Sequence, residues 1–338
     1  MTHRHRIIAL TAAAVVVPAV LAGCGSSSGS SSGKVSVVGF SVLKTANTPV
    51  IADFQKTSAG KGVTFSQSYG ASGDQSRAVI GGLPTDEVHL SLQPDVDNIV
   101  KAGLVDSTWD QTPTKGMLTD SEVVFVVRKG NPLGIRGWDD LTKSGVKLVT
   151  PNPASSGGAK WDLLAAWAHG EGTSGGDPQG QAFVTKMLGN AVALPDSASD
   201  ALASFLAGNG NVLLAYESDA IAARAAGDDI DYVVPDDTLL IQNPVALTKD
   251  ASTAAKDFLK FQLSTAGQAD YARSGFRPVI EGTSVDVPGA NDPSNAYPAV
   301  PTQYTIDKTF GGWDKANAYF DDSTGAIAKI LSGLHVGG

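Results

Sequence analysis

The sequence has a single cysteine, Cys24, among 338 residues, and only five histidines. One thiol excludes a disulfide within the chain and any site built on several thiolates. His3 and His5 fall in the first residues, and the remaining His89, His169 and His335 show no metal-ligand spacing. Basic residues are also scarce: 25 Lys and Arg stand against 34 Asp and Glu, for a net charge of −9. Without Arg4 and Arg6, which belong to the leader described below, 23 basic residues face 34 acidic ones, or −11. Such an acidic surface argues against nucleic acid as a partner. There is no Walker A run. Ser72 lies in Gly70-Ala71-Ser72-Gly73-Asp74, which misses G-x-S-x-G at its last position, and no histidine is placed by sequence to activate it. With no nucleophile, metal set or cofactor fingerprint, the chain reads as a binding protein and not an enzyme.

Long apolar runs are nearly absent too. The one exception, Ile7 to Val20, is broken by Pro18 and short for a membrane span. It follows the basic stretch Thr2-His3-Arg4-His5-Arg6 and ends Leu21-Ala22-Gly23-Cys24, which resembles a bacterial lipobox. Residues 1–23 are therefore expected to be a lipoprotein signal peptide, with lipid on Cys24. Gly25 to Gly33 is all Ser and Gly, so 24–33 reads as a flexible tether. The expected location is extracytoplasmic, anchored to the outer face of the cell membrane.

From Lys34 onward, strand-like and helix-like segments alternate, which implies βαβ units and mainly parallel sheets. Strands are expected at Val35–Val42, Val63–Tyr69, Glu87–Leu92, Glu122–Arg128, Val146–Thr150, Val192–Leu194, Asn211–Glu217 and Tyr232–Val234. Helices are expected at Asn47–Gln55, opening on Thr48-Pro49, and at Val96–Ala102, Gln181–Leu188, Ala201–Leu206 and Asp219–Ala226. Others follow at Ala254–Leu263, Ala266–Ser274 and in a tail, Lys315–Leu331. A chain of this length exceeds one typical core, so two lobes are the default. The expected division is 34–119 for the first lobe, 120–242 for the second and 243–338 for the return to the first lobe and the C-terminal helices. A hinge is expected near Val124 and Asn243.

The most informative stretch is Pro151-Asn152-Pro153-Ala154-Ser155-Ser156-Gly157-Gly158-Ala159-Lys160-Trp161, between a β-branched strand and an apolar helix. A Ser-Ser-Gly-Gly helix start leaves main-chain N–H groups unpaired and backed by the helix dipole, a seat for a small anion. Paired glycines at a helix start cost stability, which favours a ligand approaching that backbone. The turns at Ser41–Lys44, Ala71–Gly73 and Ser197–Ser199 also carry short residues beyond strand ends, where ligands of open α/β sheets collect. Taken alone, Ser72 with Gln75 reads as a capping box and Ser199 as a cap ahead of Ala201. Trp161, Trp167 and Trp313 read as packing residues.

The Ser68–Gln75 run and the Val149–Trp161 run resemble the two anion loops of sulfate-binding proteins, the extracytoplasmic receptors of sulfate/thiosulfate ABC importers. Val124–Pro132, Phe276-Arg277-Pro278 and Phe310-Gly311-Gly312-Trp313 follow in the order found in that family, and the resemblance spans Val35 to Leu331. It implies a two-lobed, type II periplasmic-binding-protein fold of class α/β that closes on one anion, without cofactor or metal. Carried over by motif, the donors are the main chain and hydroxyl of Ser72, with Gly73 beside it, the hydroxyl of Ser156, and the N–H groups of Gly157 and Gly158. An N–H near Ala198 and one near Leu43 join them, and Tyr216 stands where some relatives place a donor tryptophan. The implied partners are sulfate or thiosulfate and the importer's permease and ATPase subunits, with the receptor a monomer.

Sulfate is fully ionised at neutral pH, so a site made only of donors satisfies it, whereas the O–H of hydrogen phosphate would face other donors. A buried carboxylate would reverse that preference. Asp74 and Asp200 are expected in first helical turns facing solvent, with Glu217 as the remaining concern. Molybdate and phosphate remain alternative ligands, and an anion-sensing lipoprotein not coupled to transport remains an alternative role.

Overall fold

A computed structural model describes residues 33–174 and 177–334. The signal peptide, Cys24, most of the tether and His335 lie outside the described residues. Three strand–helix pairs open the fold: β1 (Lys34–Phe40) with α1 (Leu43–Phe54), β2 (Thr64–Gly70) with α2 (Ser72–Ile80), and β3 (Glu87–His89) with α3 (Gln93–Lys101). The long β4 (Met117–Arg128) follows, then β5 (Leu148–Val149), α4 (Gly157–Ser174), α5 (Asp177–Leu188), β6 (Ala191–Ala193) and α6 (Ala198–Leu206). β7 (Val212–Tyr216), α7 (Glu217–Ala226), β8 (Ile230–Val233) and the long β9 (Asp237–Leu247) lead to α8 (Thr253–Gln262) and α9 (Thr265–Arg273). β10 (Arg277–Pro278), β11 (Thr302–Tyr304), α10 (Trp313–Ala318) and α11 (Ala326–Ser332) complete the chain.

The strands follow the path β2-β1-β3-β9-β4-β7-β5-β6. β1 pairs in parallel with β2 and β3 at one end, and β5 pairs in parallel with β6 and β7 at the other. The two long strands join these halves as antiparallel members. β4 pairs with β9 over Met117–Glu122, then with β7 and β8 from Val123 onward. β4 is buried along nearly its whole length: Val123–Val127 reads as a continuous apolar run without alternation, whereas Thr119–Glu122, where it pairs with β9, is polar. The molecule is thus an α/β fold of two lobes sharing crossover strands. β9 is the strand that its sequence hides, because Asp237, Thr238, Gln242 and Asn243 interrupt the apolar pattern.

The stretch Trp161–Ala168 of α4 is buried on every side and, apart from Asp162, apolar. Trp161, Leu163, Leu164, Ala165, Ala166, Trp167 and Ala168 are all buried, as expected of a helix enclosed by its own lobe. The C-terminal segment adds to that enclosure. Trp313 meets Trp161 edge-on at 4.9 Å, Tyr319 packs on Trp167 at 4.5 Å, and the Tyr319 hydroxyl donates to Asp177 at 2.6 Å. The tail therefore closes over α4 and α5, while α8 and α9 return to α1 and β1.

Helix starts fall two to four residues ahead of the sequence expectation at α1, α3, α5, α6 and α7, and two of them bear on the site. α1 begins at Leu43, ahead of Asn47, and carries Pro49 inside it. The proline is tolerated because it and Thr45, whose carbonyl loses its partner, both lie on the exposed face. α6 begins at Ala198 rather than Ala201, and its cap is Ser197, whose oxygen accepts from the Asp200 N–H at 3.1 Å.

Glu87 on β3 is wholly buried and accepts from Gln262 at 3.0 Å. Burial pushes its carboxyl up to about 8, against the pull of that hydrogen bond. The folded protein therefore holds a proton that the unfolded chain releases above about 4.5, and stability falls as pH rises from there to about 8. Glu87→Gln should flatten this decline, measured as the urea midpoint at pH 5 and pH 8; an unchanged slope would refute the assignment.

Candidate functional site

The carboxyl ends of the strands place the starts of α1, α2, α4 and α6 around one cavity. Its wall comprises Phe40 to Val42 before α1, Ala71 and Ser72 at α2, Ser91 after β3, and Ser156, Gly157 and Gly158 at α4. Ala198 at α6 and Tyr216 at the end of β7 close it. The cavity is small, about 10 Å³ on the measure in which one water needs roughly 10–15 Å³, which excludes a sugar- or peptide-sized guest in this conformation.

Turns from distant parts of the chain, sharing only short polar or small residues, are thus brought together. Of the residues singled out in the sequence, Ser72, Ser156, Gly157, Gly158, Ala198 and Tyr216 line the cavity. Leu43 and Gly73 sit one position beyond its wall, each inside a first helical turn. The N–H groups of Leu43, Ser72, Gly73, Gly157, Gly158 and Ala198 have no partner among the described residues. These are the orphan donors that every helix start leaves, gathered here at or beside one cavity.

The serines divide their roles. Ser156 precedes α4, and its oxygen accepts weakly from the Ala159 N–H at 3.4 Å, leaving its proton free to donate. Ser72 differs from expectation. Its hydroxyl donates to Asp95 at 2.6 Å and accepts from the Ser91 N–H at 3.0 Å, so the N–H, not the hydroxyl, is its free donor. It is not a capping residue either: Ala71 holds the cap position, and Gln75 accepts from Ser68 at 3.0 Å. Ser91 was not marked by the sequence, since nothing local distinguishes it at the end of an apolar strand. The signal available was its position before α3, equivalent to that of the other turns.

The glycines have separate reasons. A Cβ on Gly157 would lie 2.6 Å from Ser91 Oγ and 2.9 Å from Leu92, so only glycine lets this loop meet the turn after β3. On Gly158 the same atom would lie 3.3 Å from Ser156 Oγ and 3.4 Å from Ala198, a tight but accommodated contact.

Carboxylates near the wall are placed so as not to oppose an anion. Asp74 and Asp200 are exposed in first helical turns, Asp74 paired with Arg77. Glu217 is buried and held by Arg277 through two bonds of 2.7 and 3.2 Å, and Arg277 also reaches Glu122 at 2.8 Å. Burial pushes Asp95 up, against its bond from Ser72, and pushes Asp162 well up as well. Burial also raises Asp219 to about 7. In each case burial disfavours the charge that would repel a guest. Burial raises the Tyr216 phenol too, and lowers His89 to about 3, so that imidazole is neutral. Among the described residues no cluster of His, Cys, Asp or Glu could hold a metal ion, and no helix is long and apolar enough to cross a membrane.

Two α/β lobes joined by crossover strands, with helix starts converging on one small cavity, define a two-lobed solute receptor. A family model described as bacterial extracellular solute-binding protein matches residues 35–277, and the chain belongs to that extracytoplasmic family. It is similar to the sulfate-binding protein of Synechococcus elongatus, at 36% identity over 97% of this chain and 96% of the relative. The Escherichia coli sulfate-binding protein is 37% identical over 81% of this chain and 85% of its own. The solved structure of the sulfate-binding protein SubI from Mycobacterium tuberculosis H37Rv matches with a TM-score of 0.78 at 39% identity, covering 84% of this chain and 98% of that one.

Gly157→Ala should lower stability by about 1–3 kcal/mol through overpacking against Ser91, and Gly158→Ala by less. Chemical denaturation of both variants tests the order; equal losses would show that the Ser91 contact does not dictate Gly157.

Proposed function

We propose that the protein captures sulfate, or the related thiosulfate, between its lobes and delivers it to the permease of an ABC importer, whose ATPase subunits drive uptake. The observation that carries this reading is the set of unpaired N–H groups from Leu43, Ser72, Gly73, Gly157, Gly158 and Ala198 around one cavity. The Ser156 hydroxyl joins them. A hydrogen bond to a charged acceptor contributes roughly 1.5–3 kcal/mol, so several together can replace the water shell of a dianion without a formal positive charge. Peptide N–H groups cannot reverse and accept, so an oxyanion that keeps a proton meets donors it cannot satisfy. This favours sulfate over hydrogen phosphate. The similarity to sulfate-binding relatives supports the same choice.

In this reading the receptor acts as a monomer, since one chain supplies every donor, and lipid on Cys24 with the 24–33 tether holds it at the outer face of the cell membrane. The lobes comprise 34–119 and 120–242, with 243 onward returning to the first. The change of partners on β4 at Val123 supports a hinge there and near Asn243.

Calorimetric titration with sulfate, thiosulfate, molybdate and phosphate tests the proposal. Sulfate should bind without added metal and more tightly than phosphate; the reverse order would overturn it. From pH 6 to 8 affinity should change little. Any drift should be downward with rising pH, because the buried groups near the wall that ionise there are carboxyls, such as Asp219 at about 7. Gly158→Leu should abolish binding by blocking the backbone, and unchanged affinity would remove that loop from the site.

A further inference from the structure

The side chains of Ser91 and Tyr216 come from opposite lobes, and their hydroxyl oxygens lie 2.6 Å apart on the cavity wall, both buried. Two hydroxyls carry two protons, and the bond between them uses one. The second proton remains on whichever oxygen accepts. Its options are few. The neighbouring Asn243 amide donates to the Ser91 carbonyl and accepts from Thr119, and beyond each other's oxygen no acceptor among the described residues meets either hydroxyl. Neither side chain can turn to solvent, since both are about 1% exposed.

The backbone of Ser91 holds it in place. Its carbonyl accepts from the Trp161 indole at 3.0 Å and from Asn243 at 3.2 Å, and its N–H donates to Ser72 at 3.0 Å. Gly157 lies directly against its side chain. All the main-chain hydrogen-bonding capacity of Ser91 is thus spent on fixing one hydroxyl beside the first glycine of the anion loop. A donor held this rigidly loses little entropy on meeting a guest.

We propose that Ser91 and Tyr216 act as one donor unit toward the bound anion, delivering a single proton that either hydroxyl can carry. This rests on the reading of the cavity as an oxyanion site and adds Ser91 to it. The unit has a property that separate donors lack. Tyr216→Phe leaves the Ser91 proton free, and Ser91→Ala leaves the Tyr216 proton free, so each single variant keeps one donor. Only the double variant has none.

Calorimetry with sulfate on the wild type, both single variants and the double variant tests this. Each single variant should lose affinity a few-fold. The double should lose more than the product of the two, about tenfold beyond it, the cost of one hydrogen bond to a charged acceptor. Single losses as large as the double loss would overturn the proposal, because that is the signature of a latch between lobes whose mutual bond alone matters. Losses that simply multiply would overturn it as well. The wild type offers a readout that needs no variant: the ring 13Cζ resonance of Tyr216 should move on sulfate addition, and a resonance that stays put would refute the unit. A wild type that binds thiosulfate or molybdate but not sulfate would sink the sulfate reading alone, and the same cycle run with the bound anion would judge the pair. Binding of none of the three would overturn both.

Discussion

Helix starts leave main-chain donors that the helix itself cannot satisfy, and this fold gathers several such starts at one point. Each costs something by itself, because an unpaired N–H kept from water is unfavourable. Here the orphans of α1, α2, α4 and α6 lie at or next to the wall of one small cavity. The arrangement makes sense only if something with many lone pairs and no proton completes it. The parallel strands bring the turns to one edge, the crossover strands set the halves opposite each other, and the closely packed glycines let backbone replace side chain at the wall.

The same constraint accounts for the treatment of charge. Overall the molecule is acidic, and several carboxyl groups lie within or just behind the lobes' facing surfaces. They are kept silent by different means: solvent for Asp74 and Asp200, a guanidinium for Glu217, and burial that favours the protonated form for Asp162 and Asp219. Attraction for a negative guest then comes from fixed local dipoles, which are screened less than exposed side chains would be.

Much of this was legible in the sequence. The strand–helix alternation gave the fold class, and Ser156-Gly157-Gly158 announced an anion loop because paired glycines at a helix start cost stability, although Gly157 proves to be required by its packing on Ser91 as well. What was hidden is what depends on distant partners. Ser91 looks like any strand-end serine until Tyr216, Trp161 and Asn243 arrive from elsewhere in the chain. The Ser72 hydroxyl looked available because nothing near it in sequence reveals Asp95 as its acceptor. Pro49 suggested a helix start by a sound local rule, yet the rule yields when the unpaired carbonyl can face water. β9 escaped because a strand that serves both lobes must carry polar residues where it passes between them.

The burial of α4 on all sides has a mechanical consequence. The helix whose first residues meet the guest is held through its own Trp161 and Trp167 against Trp313 and Tyr319, so its tip cannot retreat unless the whole lobe repacks. Selection by radius follows: a tetrahedral ion wider than the seat must force the two halves apart, and it forfeits donors from one half for every contact it keeps with the other.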